Sequence, residues 1–285
     1  MIVDFHTHVL PDSFRDDRER IVRADATFAE LFADPHAKTA SYDELLASMD
    51  VAGIDSSLAL GYGWTDQGVA RESNDYLLEA ARKSNGRIIA FCSVNPAWRM
   101  RAVTEVERCA EAGAVGVGEL HPDTQGFDIA DSAVMKPLMT AAESLGLIVL
   151  YHASEPLGHA YPGKGTATPG KLLALATAFP DVRIVFAHWG GGLPFYALMP
   201  EVLERLQNVW FDSAATPYLY RQDVFPTVSR LAGPDRVLFG SDFPLLKQGR
   251  VLKEARAAGL SHEEETAILG GNAARLLGLD SAESD

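Results

Sequence analysis

Apolar residues alternate along this chain between two rhythms. Short β-branched or aromatic runs recur at Ile2 to His8, Ser56 to Gly61, Arg87 to Val94, Ala114 to Leu120, Leu147 to His152, Arg183 to His188, Val209 to Ser213 and Arg236 to Asp242. Between them, Leu, Ala and Val take helical spacing over Tyr42 to Val51, Asn74 to Ser84, Ala102 to Ala112, Met135 to Leu145, Pro169 to Phe179, Phe195 to Leu206, Arg221 to Leu231 and Arg250 to Ala258. The first rhythm predicts strands and the second helices. Gly53, Gly86, Gly113, Gly146 and Gly259 stand just past helix ends, where a left-handed cap is easiest without a Cβ.

Most of these strands are apolar enough to be buried on both faces. The alternation therefore predicts an α/β fold, a (β/α)8 TIM barrel formed as a single domain over residues 1–285, with an open doubly wound sheet as the competing arrangement. Pro11 to Ala40 is a long connection after the first strand, read as a loop over the site because long connections at this end of a barrel cover it. Ser261 to Leu279 reads as an extra C-terminal helix, with Ser261 as N-cap and Glu264 at the capping-box position.

Composition narrows the partners. The 39 acidic and 25 basic residues give a net charge of -14, a field that repels nucleic acid and anionic lipid. Small-molecule chemistry is expected instead, and a homo-oligomer stays open. Cys92 and Cys109 are the two cysteines and form no Cys-x-x-Cys arrangement, so neither a zinc knuckle nor a disulfide framework is indicated. The opening Met1-Ile2-Val3-Asp4-Phe5-His6 lacks the basic and long apolar stretches of an export signal, which predicts a cytoplasmic protein.

The chemistry concentrates at strand ends. In His6-Thr7-His8 both imidazoles point to one side of a strand, where two nitrogens can share a metal ion. Alone, that pair is as readily two half-buried polar side chains. Glu119, His152, His188 and Asp242 follow apolar strands directly, each at the C-terminal end that forms the catalytic face of a parallel barrel. Parity adds to this: Ile148 and Leu150 share a face with His152, Val115 and Val117 with Glu119, and Leu238 and Gly240 with Asp242. Four His and two carboxylates converging there are costly to bury without a cation. A bound metal is the expectation. Asp4, of the same parity as His6, is read as orienting a ligand from one layer deeper or as a buried hydrogen-bonding residue.

These motifs, in this order over essentially the whole chain, resemble the amidohydrolase superfamily, in its amidohydrolase-2 group of metal-dependent hydrolases and decarboxylases. They are Asp4-Phe5-His6-Thr7-His8, Glu119, His152, His188-Trp189-Gly190-Gly191 and Gly240-Ser241-Asp242-Phe243-Pro244. The resemblance implies that His6, His8, His152 and Asp242 hold a first metal, usually zinc, with His188 at a second metal or on the substrate. Two-metal members often bridge their ions through a carboxylated lysine or a Glu; strand four ends without Lys, so Glu119 takes that candidacy. The group's decarboxylases related to aminocarboxymuconate semialdehyde decarboxylase generally lack a strand-four carboxylate ligand. Glu119 therefore tilts the expectation toward hydrolysis.

The leading expectation is a metal-dependent hydrolase that cleaves an amide, lactone or ester in a small molecule, with or without a carboxylate, using metal-activated water as nucleophile. Asp242 would move the proton, and His188 would polarise the carbonyl. The alternative is a nonoxidative decarboxylase of an aromatic or muconate-type acid. A nuclease reading is opposed by the net charge, and a noncatalytic metal-binding barrel requires a closed coordination sphere. For substrate contacts the candidates are His159, Tyr161 and Lys164 from the loop after strand five, together with His121 and Trp64. Asn95 and Tyr218 are weaker ones. Lys164 with Arg15 or Arg20 is the candidate carboxylate clamp. His36 and His262 are read as solvated, and the side on which Cys92 faces is left open. Gly190-Gly191-Gly192 is read as room for close backbone approach rather than a phosphate cradle.

Overall fold

The computed structural model describes residues 1–279. Its strands are β1 (Val3–His8), β2 (Ser56–Leu60), β3 (Ile88–Cys92), β4 (Gly116–Leu120), β5 (Ile148–Tyr151), β6 (Arg183–Phe186), β7 (Val209–Asp212) and β8 (Val237–Leu238). They form one sheet in sequence order, parallel throughout. The ring closes where the Phe5 and His8 amides donate to the Phe239 and Phe243 carbonyls, both at 2.7 Å, and the Asp242 amide donates to the His6 carbonyl at 2.9 Å. This is the (β/α)8 barrel that the two rhythms predict.

Helices follow the strands for local reasons. Ser41 and Glu44 form a capping box at the start of Tyr42–Ala52, and Gly53 ends that helix at φ 69°. Asp66 accepts from the Gly68 and Val69 amides and starts the helix Gln67–Lys83. Val3, Phe5, Leu58, Leu60, Phe91, Ile148, Leu150, Val185 and Leu238 fill the barrel interior. On the outer face Val117, Tyr151 and Phe186 pack against Val106, Leu138 and Leu172 of the surrounding helices. Cys92 belongs to this outer layer. No helix of the described residues is long and apolar enough to cross a membrane.

Alternation alone does not aim every side chain. The β1–β2 register shifts between Asp4 and Thr7, so Phe5 faces the interior although His6 and His8 also reach the mouth. Asp4 is fully buried, as a hydrogen-bonding residue below the mouth. Its carboxylate accepts from the Ser241 amide at 2.9 Å, the His6 amide at 3.3 Å and Gln248 Nε2 at 2.8 Å, joining β1 to the segment after β8. The β4–β5 register shifts between Val117 and Leu120, which leaves Val117 in the helix layer while Glu119 turns inward. The shared face expected of Val117 and Glu119 therefore does not form.

β6 and β8 are shorter than their sequence patterns predict. The chain leaves the extended conformation before His188 (φ 54°) and Asp242 (φ 66°), both in the left-handed region. Such non-glycine conformations cost of order 1–3 kcal/mol and collect at functional sites. The glycines beside them are needed for space: a Cβ on Gly240 would lie 2.8 Å from the His6 Cβ, and one on Gly190 2.8 Å from the Phe211 ring.

The connection from Pro11 to Ala40 is not a loop. Most of it is three short helices, Asp12–Asp16, Arg18–Ala24 and Ala26–Phe32, over an apolar cluster of Phe14, Ile21, Phe28, Phe32 and Trp64. Asp25 caps the third helix and also accepts from the Thr65 and Asp66 amides, which ties the insert to the end of β2. The tail is helical in pieces. Ser261 and Glu264 form the expected capping box, but the helix passes through a π-helical stretch, Ala267–Gly271, before Asn272–Leu277. There the Ile268 carbonyl accepts from the Phe239 amide, which draws it out of the helical ladder.

Phe28 is fully buried at the centre of the insert. Phe28→Ala is expected to destabilise the protein by about 3–5 kcal/mol, read from urea melts. A loss below about 1 kcal/mol would mean that the insert packs independently of the barrel fold.

Candidate metal centre

The strand ends bring His6, His8, Glu119, His152, His188 and Asp242 to the mouth of the barrel. Among the described residues two groups have ligand atoms within 4.8 Å of one another: His6 with His8 and Glu119, and Glu119 with His152 and His188. Glu119 belongs to both. The Asp242 carboxylate lies 3.8 Å from His6 Nε2 and 3.7 Å from His8 Nε2. Glu119 thus stands between His6 and His8 on one side and His152 and His188 on the other, with Asp242 beside His6 and His8.

The outer nitrogens fix the imidazole tautomers. Carbonyl oxygens only accept, so His8 Nδ1 donates to Leu60 at 3.3 Å and His188 Nδ1 donates to Ala214 at 3.2 Å. His6 Nδ1 donates to the Asp212 carboxylate at 2.8 Å, and His152 Nδ1 to Glu119 at 3.0 Å. A neutral imidazole then keeps its lone pair on Nε2. His6 Nε2 and His8 Nε2 face each other at 3.0 Å, and His188 Nε2 faces the Glu119 carboxylate at 3.3 Å. His152 Nε2 is buried with no hydrogen-bond partner among the described residues. Lone pair against lone pair repels, so these atoms need a cation between them.

This donor set fits a divalent ion. Imidazole nitrogens and a carboxylate are suitable ligands, and each imidazole is already oriented by an acceptor behind it. In the metal-free protein protons take over part of that task. Burial opposes a charge on His6, but Asp212 and Glu119 outweigh it and hold the imidazole well above its usual range. His188 is likewise driven to about 9 against burial, chiefly by its hydrogen bond to Glu119. Burial, with His6 adding to it, pushes His8 well down, and burial lowers His152 to about 4. Burial would raise Glu119, but His121, His6 and His152 hold it well below the usual carboxylate range. Asp242 is raised, first by burial.

A cavity of about 390 Å³ opens over this cluster. Its walls include Phe32, Tyr62, Tyr161, Tyr218 and Leu245, with Lys38 among them. Of the residues proposed for substrate, His121, His159 and Tyr161 line the cavity, as does Tyr218. His121 Nε2 also lies 3.1 Å from Glu119, and its ring stacks on His152 at 4.6 Å. Trp64 does not reach the cavity; it is fully buried against Phe14 and Phe28. The Lys164 ammonium is turned back onto its own loop, donating to the Leu157 and His159 carbonyls. Arg15 pairs with Asp12 and Glu44, and Arg20 with Asp17 and Glu72, away from the cavity. Asn95 donates to the Gln125 carbonyl instead. His36 and His262 are exposed.

Three side chains escaped the sequence reading. Asp212 ends β7 in Val209-Trp210-Phe211-Asp212, the same apolar run into a carboxylate that marks Asp242. Tyr62 lies between two glycines after β2 and stacks on His8 at 4.0 Å and 14°. Lys38 lies in the insert, where no periodicity points to the cavity; its Nζ donates to the Leu245 carbonyl at 2.7 Å.

The model of the amidohydrolase family Amidohydro_2 matches residues 3–279. The chain belongs to the amidohydrolase family. This amidohydrolase is similar to 2-amino-3-carboxymuconate-6-semialdehyde decarboxylase of Dictyostelium discoideum, 23% identical over 248 residues, which are 74% of this chain and 67% of that protein. Among solved structures it resembles the 5-carboxyvanillate decarboxylase of Sphingomonas paucimobilis, with a TM-score of 0.79 at 18% identity over 97% of this chain and 98% of the other. It also resembles the 5-carboxyvanillate decarboxylase of Novosphingobium aromaticivorans, solved with manganese and 4-hydroxy-3-methoxy-5-nitrobenzoic acid: TM-score 0.77, 19% identity, 98% of this chain and 96% of the other.

The His6–Asp212 bond holds one ligand in its tautomer. Asp212→Asn is expected to weaken binding of a divalent metal by about 10–100-fold, measured by chelator competition. Unchanged affinity would remove Asp212 from the centre.

Proposed function

We propose that this amidohydrolase is a metal-dependent nonoxidative decarboxylase of a small aromatic or muconate-type carboxylic acid. The observation that carries the reading is the meeting of Asp242 with an aromatic-walled cavity directly above the imidazole and carboxylate cluster. The likeness to proteins named as decarboxylases of planar acids supports it, against the hydrolysis toward which Glu119 tilts the sequence.

In this reading His6, His8, Glu119, His152 and His188 hold a divalent ion, manganese or zinc. When bound, that ion would supply positive charge to the substrate acid. Tyr62 and Phe32 face the plane of the acid. Asp242, in its protonated form, gives its proton to the carbon that bears the carboxylate. The bond from that carbon to the carboxylate then breaks, its electron pair returns to the unsaturated system and carbon dioxide leaves. Asp242 regains a proton from solvent. The sum is one acid anion and one proton giving the decarboxylated product and carbon dioxide, with no water consumed and no redox change.

One observation favours a second reading. Glu119 belongs to both ligand groups, an arrangement suited to a bridged pair of ions, and such pairs serve hydrolysis of an amide, lactone or ester.

Product analysis separates the two. With 2,6-dihydroxybenzoate and 5-carboxyvanillate as first probes in a panel of planar acids, carbon dioxide release is expected and should stop on chelation. Asp242→Asn should lower kcat by about 10²–10⁴-fold with a much smaller effect on KM. No carbon dioxide from any planar acid, together with chelator-sensitive cleavage of a lactone or amide, would replace the first reading with the second.

A further inference from the structure

A second cavity, of about 350 Å³, lies at the opposite end of the barrel from the metal centre. Arg183 at the start of β6, Trp210 in β7, Arg236 just before β8, and Arg275 near the C-terminus line it, with Gln207, Asp235, Asn272 and Leu276. Three guanidinium groups and one carboxylate give this small space a local excess of positive charge, in a protein whose net charge is -14.

Among the described residues neither Arg183 nor Arg275 has a carboxylate within 4 Å, while Arg236 has Asp235 at 3.6 Å. Arg183 is part-buried, and its two terminal nitrogens donate to the Leu276 and Gly146 carbonyls. Arg236 lies over the Trp210 ring at 5.0 Å and donates to the Gln207 carbonyl. Arg275 donates to the Asn272 side chain. A guanidinium has five N–H groups, so on each arginine most of the donors are left without an acceptor among the described residues. Like charges lining one cavity repel, and an anion held by charge-assisted hydrogen bonds relieves that repulsion.

We propose that this cavity is a binding site for a small oxyanion of phosphate type, separate from the metal centre. Arg183, fixed by two carbonyls, and Arg236, backed by Trp210, form rigid walls. Arg275, exposed and held by one side chain, closes on the anion.

Titration calorimetry of the metal-loaded protein with inorganic phosphate, at ionic strength matched with chloride, tests it. Saturable binding is expected, weakened about tenfold or more by Arg275→Gln and again by Arg236→Gln, since each removes charge-assisted donors. Turnover at the metal centre should be unchanged in both. Arg275 is the safer first substitution, and Arg236→Gln serves if that variant does not fold. Two results would overturn the proposal: no heat beyond the chloride control, or phosphate binding of equal strength in both variants, which would assign the anion to the metal centre.

Discussion

Four imidazoles turned inward around one buried carboxylate form the constraint on which this structure depends. His8 and His188 are fixed from behind by backbone carbonyls, His6 by Asp212 and His152 by Glu119, so the nitrogens left facing the centre carry lone pairs. Such an assembly is unstable as a set of neutral groups. Protons on His6 and His188 relieve it in one way, and a divalent ion relieves it more completely because it engages several lone pairs at once. Asp242 belongs to the same arrangement, since its carboxylate stands beside the His6 and His8 nitrogens.

The barrel delivers this centre through departures from regularity. Register shifts in β1 and β4 turn His6 and Glu119 to the mouth, and left-handed backbone at His188 and Asp242 carries those side chains inward after the strands have ended. Asp4 holds the seam, joining β1 to the segment after β8 through the Ser241 amide and the Gln248 side chain. The insert after β1 supplies Phe32 and Lys38 to the cavity, and Phe32 packs edge-on against Tyr62, which stacks on His8. The regular part of the fold thus sets the height of the site, and the irregular part aims it.

What was legible in the sequence follows the same division. The eightfold alternation and polar residues directly after apolar runs mark the barrel and bring all six proposed ligands to one end. Periodicity carries no information on register shifts, so it gave Val117 and Glu119 a common face. Trp64 directly follows a strand region, as a cavity residue would, yet the aromatic cluster of the insert buries it. Lys38 supplies the cavity with an ammonium where Lys164, Arg15 and Arg20 were expected to; its reach depends on three short helices that pattern reading took for a loop. Asp212 was within reach, having the same signature as Asp242.

The balance between one ion and two, and so between decarboxylation and hydrolysis, rests on how Glu119 divides its oxygens between the two ligand groups. Both readings share the requirement for a cation. The most direct test is elemental analysis of the purified protein, before and after exhaustive chelation and reloading with manganese or zinc. The account predicts at least one tightly held divalent ion per chain, recovered on reloading. A folded protein that takes up no metal under any loading condition would contradict it.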